Sequence, residues 1–130
     1  MEKINKKKRF SIVARAKSFT HAIRGIGVLV KSTHNFWIHI FAAIVVVKLG
    51  YILEISSTEW ILLVFAIGFV MVTEAINTAI EIDIDLTSPT FHPYARDTKD
   101  VAAGAVLLSA IVAGIVGLII FLPKIIVLLK

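Results

Sequence analysis

Three long apolar runs dominate the chain, with polar stretches between them. The runs over 36–55, 60–82 and 100–122 each come close to the ~20 residues that a helix needs to cross a bilayer core. A different pattern runs over 10–31, where apolar residues recur every three or four positions and basic residues recur every seven on another face. This pattern predicts an amphipathic helix on the membrane surface, preceded by a mobile basic tail over 1–9. The predicted fold is an all-α membrane protein with one surface helix and three transmembrane helices.

The polar segments between the runs predict the connections. Residues 54–59 (EISSTE) predict a short turn, and residues 86–99 predict a loop because they carry two prolines among mixed polar groups. Pro123 and Lys124 are expected to end the third span. At 130 residues, the chain has the length of a single domain.

Composition and charge narrow the class of protein. Hydrophobic residues make up 58% of the chain, and the absence of cysteine excludes disulfides, thiol nucleophiles and cysteine metal sites. Nine of the fourteen Lys and Arg residues precede the first predicted span. Ahead of three apolar segments, this basic region predicts attraction to anionic lipid and no nucleic-acid partner. The positive-inside rule then predicts a cytoplasmic N-terminus and a C-terminus outside.

The second predicted span ends in polar residues that share one helix face. Glu74, Asn77, Glu81 and Asp85 follow one another at spacings of three, four and four, which places their side chains on one side of a helix. Charged groups inside a membrane-length segment are costly, so three carboxylates in this row indicate a function. Glu74 lies deepest and is a candidate proton acceptor. Glu81 and Asp85 lie nearer the water and are candidate ligands of a hard divalent cation.

Residue chemistry alone leaves three functions open. A base, a metal carboxylate, an amide and the nearby Lys99-Asp100 pair are parts used in phosphoryl transfer. The same row of residues is also compatible with a proton or cation relay in a small transporter, or with polar contacts that hold a bundle together. The sequence contains neither a P-loop nor a G-x-G-x-x-G strand–helix unit. An enzyme, a transporter and a structural protein therefore all remain at this point.

Two motifs resemble the signature of a known family, the prokaryotic diacylglycerol kinases and undecaprenol kinases. They read Glu74-x-x-Asn77-x-x-x-Glu81-x-x-x-Asp85 and Lys99-Asp100-x-Ala102-Ala103-Gly104-Ala105. The similarity extends over nearly the whole chain, including the surface helix and the order of three spans. It implies a homotrimer in the bacterial cytoplasmic membrane that transfers the γ-phosphate of ATP, with Mg²⁺, to the hydroxyl of a membrane lipid at the cytoplasmic interface.

The resemblance also implies roles for single residues. By position, Glu74 corresponds to the general base and Glu81 to a metal ligand. The residues expected around the nucleotide and its phosphates are Lys17, His21, Asn77, Asp85, His92, Lys99 and Asp100.

The chain departs from the family pattern just before the first span. Where the family reads E-x-N-x-R-I-H, residues 33–39 read THNFWIH, so Thr33 stands where a metal-binding Glu is usual and Trp37 where Arg is usual. The Thr33 hydroxyl is a weak metal ligand that brings no charge. His21 stands where a tyrosine is common, and we interpret His39, inside an apolar span, as a hydrogen-bonded packing residue.

These observations favour an active lipid kinase. The alternatives are a catalytically lapsed family member and a proton- or cation-coupled transporter that uses Glu74. The lack of cysteine and the AAGA run over 102–105 favour undecaprenol over diacylglycerol as the lipid substrate.

Overall fold

The computed structural model describes residues 11–130, which form four helices joined by short connections. The helices are α1 (Ile12–Ser32), α2 (His34–Ile52), α3 (Ser57–Thr87) and α4 (Pro93–Leu128). No β-strand occurs between residues 11 and 130, so the predicted all-α class is confirmed for this range. The predicted tail over 1–9 and residue 10 lie outside the described residues.

Three of these helices are long and apolar enough to cross a membrane, as predicted. The 19 residues of α2 match the ~20 needed for a bilayer core, whereas α3 has 31 residues and α4 has 36. At about 1.5 Å per residue, α3 and α4 exceed the thickness of the hydrocarbon core, so their ends extend beyond it. Many of the large apolar side chains on these helices are exposed on the single chain, which suits a lipid environment.

The helices α3 and α4 extend further than the prolines led us to expect. Only residues 88–92 connect α3 to α4, in place of the loop predicted over 86–99. Pro93 begins α4. The N–H of a residue at this position has no acceptor within the helix, so a proline there costs no hydrogen bond. Pro123 lies inside α4, which continues to Leu128. In an apolar environment, backbone N–H and C=O groups without hydrogen bonds are costly. Continuing the helix past one proline is therefore more favourable than ending it there.

A tight turn over residues 53–56 reverses the chain between α2 and α3. Glu54 adopts φ 47°, in the left-handed region. The N–H of Ile55 donates to the carbonyl of Gly50 (3.1 Å) and that of Glu54 to the carbonyl of Tyr51 (3.4 Å). These two bonds form the Schellman arrangement that satisfies the last carbonyls of a helix.

The first turn of α3 is fixed by a capping box. The Ser56 backbone N–H donates to the Glu59 carboxylate (2.6 Å), and the Glu59 N–H donates to the Ser56 hydroxyl (3.3 Å). Lys124 of α4 lies 3.3 Å from the same Glu59 carboxylate. The turn end of α3 is thereby attached to α4.

The pair α3–α4 is antiparallel and makes the most extensive helix–helix contact of the described chain. Near the 53–56 turn it encloses a buried cluster of Ile55, Leu63, Ile120 and Phe121. The shorter α2 packs mainly against α3, and α1 contacts α2 and α3. The Trp37 indole N–H donates to the Val30 carbonyl (3.1 Å) and so joins the start of α2 to α1.

Candidate active site

One face of α3 packs against α4, and this face changes from apolar to polar along the helix. Its apolar part consists of Leu63, Ala66 and Val70, all buried. The predicted row of polar residues continues the same face: Glu74 is 1% exposed and Asn77 5% exposed. Glu81 is half-buried, and Asp85, nearest the 88–92 loop, is exposed. Burial therefore decreases steadily from Glu74 toward the loop.

A cavity of about 270 Å³ lies beside the buried part of this row. Its polar lining consists of Asn35 and His39 from α2 and Glu74, Asn77 and Glu81 from α3. The lining contributed by α4 is apolar and includes Ala103, Val106, Leu107 and Ala110. The cavity thus places two carboxylates, two carboxamides and an imidazole against an apolar wall.

The polar groups of this cavity are only partly paired with one another. The Asn77 amide donates to the Glu81 carboxylate (Nδ2–Oε1 3.0 Å). The Asn77 Oδ1 atom and both carboxylate oxygens of Glu74 are buried without a hydrogen-bond partner in the described residues. His39 Nε2 lies 3.9 Å from Glu74 Oε2, which is beyond hydrogen-bond distance. Buried polar atoms without partners are rare in native proteins, so these acceptors are candidate contacts for a donor or a cation.

A second, more open groove of about 410 Å³ lies at the loop end of α3 and α4. The charged and polar residues in its lining include Asp85, His92, Arg96, Lys99 and Asp100. Lys99 Nζ contacts Asp85 Oδ1 at 2.8 Å, and Arg96 Nε lies 3.5 Å from Asp100 Oδ2. These pairs are largely exposed, so they add little stability and are available to an incoming ligand.

The structure brings most of the predicted site residues to one end of the α3–α4 pair. Glu74, Asn77 and Glu81 line the cavity, while Asp85, His92, Lys99 and Asp100 line the groove. The remaining three predicted residues line neither space. Lys17 and His21 are exposed on α1, and Thr33 lies between α1 and α2 with its hydroxyl oxygen buried and without a partner in the described range.

Two cavity residues, Asn35 and His39, were not predicted as site residues. They stand four positions apart on α2, so they share a face of that helix. Their spacing in a mostly apolar helix was the available signal, but only the packing of α2 against α3 brings this face to Glu74.

The cavity offers carboxylate oxygens, the kind of ligand that Mg²⁺ takes in proteins. No group of three or more His, Asp or Glu side chains within residues 11–130 is arranged to hold a metal alone. Mg²⁺ is commonly bound by one or two carboxylates together with waters and substrate phosphates. The Glu81 carboxylate, which accepts from the Asn77 amide, is a candidate ligand of that kind.

The fold and the site together describe a helical membrane protein with a carboxylate-lined site at one end of its helices. Comparison with known proteins gives its family. The family model described as prokaryotic diacylglycerol kinase matches residues 20–121. The chain belongs to the prokaryotic diacylglycerol kinase family, and it is a lipid kinase.

Individual relatives agree with this assignment. The undecaprenol kinase of Bacillus subtilis is 44% identical over 108 residues, covering 83% of this chain and 88% of the relative. The diacylglycerol kinase of Synechocystis is 38% identical, covering 82% of this chain and 61% of the relative. The diacylglycerol kinase of Escherichia coli K12 is 28% identical, covering 73% and 84%.

Proposed function

We propose that the protein transfers the γ-phosphate of ATP to the hydroxyl of a membrane lipid, in a reaction that requires Mg²⁺. The observation that carries this proposal is the Glu74 carboxylate, buried without a hydrogen-bond donor beside Asn77 and Glu81. Burying a carboxylate without a hydrogen-bond donor costs several kcal/mol. A binding role for it is therefore better supported than a structural one.

In the proposed reaction Glu74 accepts the proton of the lipid hydroxyl. The lipid oxygen forms a bond to the γ-phosphorus, the bond from that phosphorus to the β-phosphate oxygen breaks, and ADP leaves. Positioning and charge stabilisation supply most of the catalysis in such transfers. The apolar wall of α4 limits water at Glu74, which favours the lipid hydroxyl as acceptor over hydrolysis.

Glu81 would hold Mg²⁺, with the Asn77 carboxamide beside it facing the phosphates. Bound there, the ion would neutralise charge on the transferred phosphate. The groove residues Asp85, His92, Lys99 and Asp100 would bind the nucleotide. Lys17 and His21, exposed on α1, would add contacts from the membrane surface.

The arrangement in the membrane follows from charge and exposure. We assign the basic N-terminal region and the 88–92 loop to the cytoplasm of a bacterial cell and the 53–56 turn and C-terminus to the outside. The exposed apolar residues of α1, such as Phe19 and Ile23, suit a helix lying on the bilayer surface. The many exposed apolar side chains on the spans suit a homotrimer embedded in lipid.

Undecaprenol is the lipid we favour. Among the relatives above, the one with 44% identity is an undecaprenol kinase, and those with 38% and 28% identity are diacylglycerol kinases. Both lipids present a hydroxyl at the interface, so the same chemistry serves either.

The test is phosphate transfer from γ-labelled ATP in mixed micelles, with undecaprenol or diacylglycerol as acceptor and a Mg²⁺ titration. We expect transfer to undecaprenol to exceed transfer to diacylglycerol, and Glu74→Gln to abolish turnover while the protein stays folded. Retained turnover in Glu74→Gln would remove Glu74 from the role of base. A folded wild-type protein that phosphorylates neither lipid would contradict the proposed activity.

A further inference from the structure

The Glu74 carboxylate lacks a group that fixes its orientation. Both of its oxygens are buried without a hydrogen-bond partner in the described residues, and Asn77, one turn away, directs its amide to Glu81. A general base must face the proton that it accepts, and small misplacements are costly in rate. Some neighbouring group is therefore needed to hold this carboxylate in place.

His39 is the residue placed to do so. Its Nε2 lies 3.9 Å from Glu74 Oε2, so a movement of about 1 Å brings the pair to hydrogen-bond distance. The His39 side chain is 19% exposed. It enters the cavity from α2, whereas Glu74 enters the cavity from α3.

Few other side chains in the cavity could take the place of His39 or of Glu74 in this contact. On α3 the other carboxylate of the cavity, Glu81, already accepts from Asn77. The α4 lining is apolar and brings no cation. On α2 the second polar residue, Asn35, lies one turn toward the helix start.

We propose that His39 is a positioning residue: its imidazole N–H donates to the Glu74 carboxylate and holds it toward the lipid hydroxyl. This role rests on the proposed function of Glu74 as base. His39 needs no contact with the substrate and forms no bond to it. This proposal gives the hydrogen bond expected of His39 a partner, Glu74, and makes its N–H group matter more than its volume.

Two substitutions separate these roles. His39→Gln keeps an N–H donor, whereas His39→Leu keeps a side chain of similar size and has no donor. A hydrogen bond to a charged group typically changes a rate about 10- to 100-fold. We expect His39→Leu to lower kcat by that factor with the KM for ATP changed less than twofold, and His39→Gln to stay within about threefold of wild type.

The controls make each outcome decisive. His34→Ala, at the exposed first residue of α2, is the matched histidine control and should keep wild-type kcat. Thermal unfolding in the same micelles checks that each variant is folded. If His39→Leu is as active as His39→Gln, or more so, His39 only packs and the proposal fails. A raised Mg²⁺ requirement in His39→Leu would show metal ligation and would also overturn it.

Glu74→Gln, measured alongside, separates this proposal from the proposed function. If Glu74→Gln is inactive and His39→Leu is fully active, the positioning role alone is wrong. If Glu74→Gln is active, the assignment of the base itself fails.

Discussion

Removing the Asn77 amide tests how the site would hold Glu81, the proposed metal ligand. In the structure Asn77 is 5% exposed and donates to Glu81 Oε1 at 3.0 Å, so this bond forms largely away from water. We predict that Asn77→Ala leaves Glu81 free to change rotamer and thereby raises the Mg²⁺ concentration needed for half-maximal activity. The effect should fall on the metal titration, because the protein's only assigned metal carboxylate is the group that Asn77 orients.

The size of the effect follows from the type of bond. A hydrogen bond to a charged group contributes about 1.5–3 kcal/mol, and each 1.4 kcal/mol corresponds to tenfold in an equilibrium constant. If this contribution is lost from metal binding, the Mg²⁺ requirement rises roughly 10- to 100-fold.

The assay is lipid phosphorylation at saturating ATP across a Mg²⁺ series, with two companion variants. Thr78→Val is the matched control, since Thr78 is also buried but donates only to the Glu74 backbone carbonyl. In a Glu81→Ala background, Asn77→Ala should cause little further change, because the two residues act as one unit. A Mg²⁺ requirement within twofold of wild type in Asn77→Ala would refute this reasoning, as would an equal shift in Thr78→Val.

Three further predictions concern the metal and the turn. Thr33→Glu should lower the Mg²⁺ requirement several-fold by adding a carboxylate at the usual family position; an unchanged titration would place that position away from the metal. Gly50→Ala should lower Tm, because the new Cβ would lie 2.8 Å from a Trp60 ring carbon. In the control Gly68→Ala, the new Cβ meets nothing within 4 Å, so Tm should not fall. Equal Tm values for the two variants would contradict this. Glu54→Gly should stabilise the fold by about 1 kcal/mol in thermal unfolding, because φ is 47° at this residue; a lower Tm would count against strain there.

The row of polar residues on α3 could be predicted because helical periodicity is a local property. Spacings of three and four residues place Glu74, Asn77 and Glu81 on one face whatever surrounds the helix. The structure agrees that these residues share one face, and along it burial within the protein falls from Glu74, which is buried, to Asp85, which is exposed.

The partners of these residues could not be predicted in the same way. His39 reaches Glu74 only through the packing of α2 on α3, and the Lys99–Asp85 contact depends on how two helices meet across the 88–92 loop. The helix ends were misjudged for a different reason. Proline was read as a helix breaker, but Pro93 begins α4, and Pro123 lies where an apolar surrounding favours an unbroken helix.

The buried face of α3 explains how a chain this small can bury a carboxylate. Its apolar part, Leu63, Ala66 and Val70, is buried, and α3 makes its most extensive contact with α4. The polar part continues the same face, so the packing that buries Val70 also buries Glu74 and Asn77. The cost of the unpaired carboxylate is therefore offset by packing elsewhere on the same helix pair, and stability and site geometry depend on one contact surface.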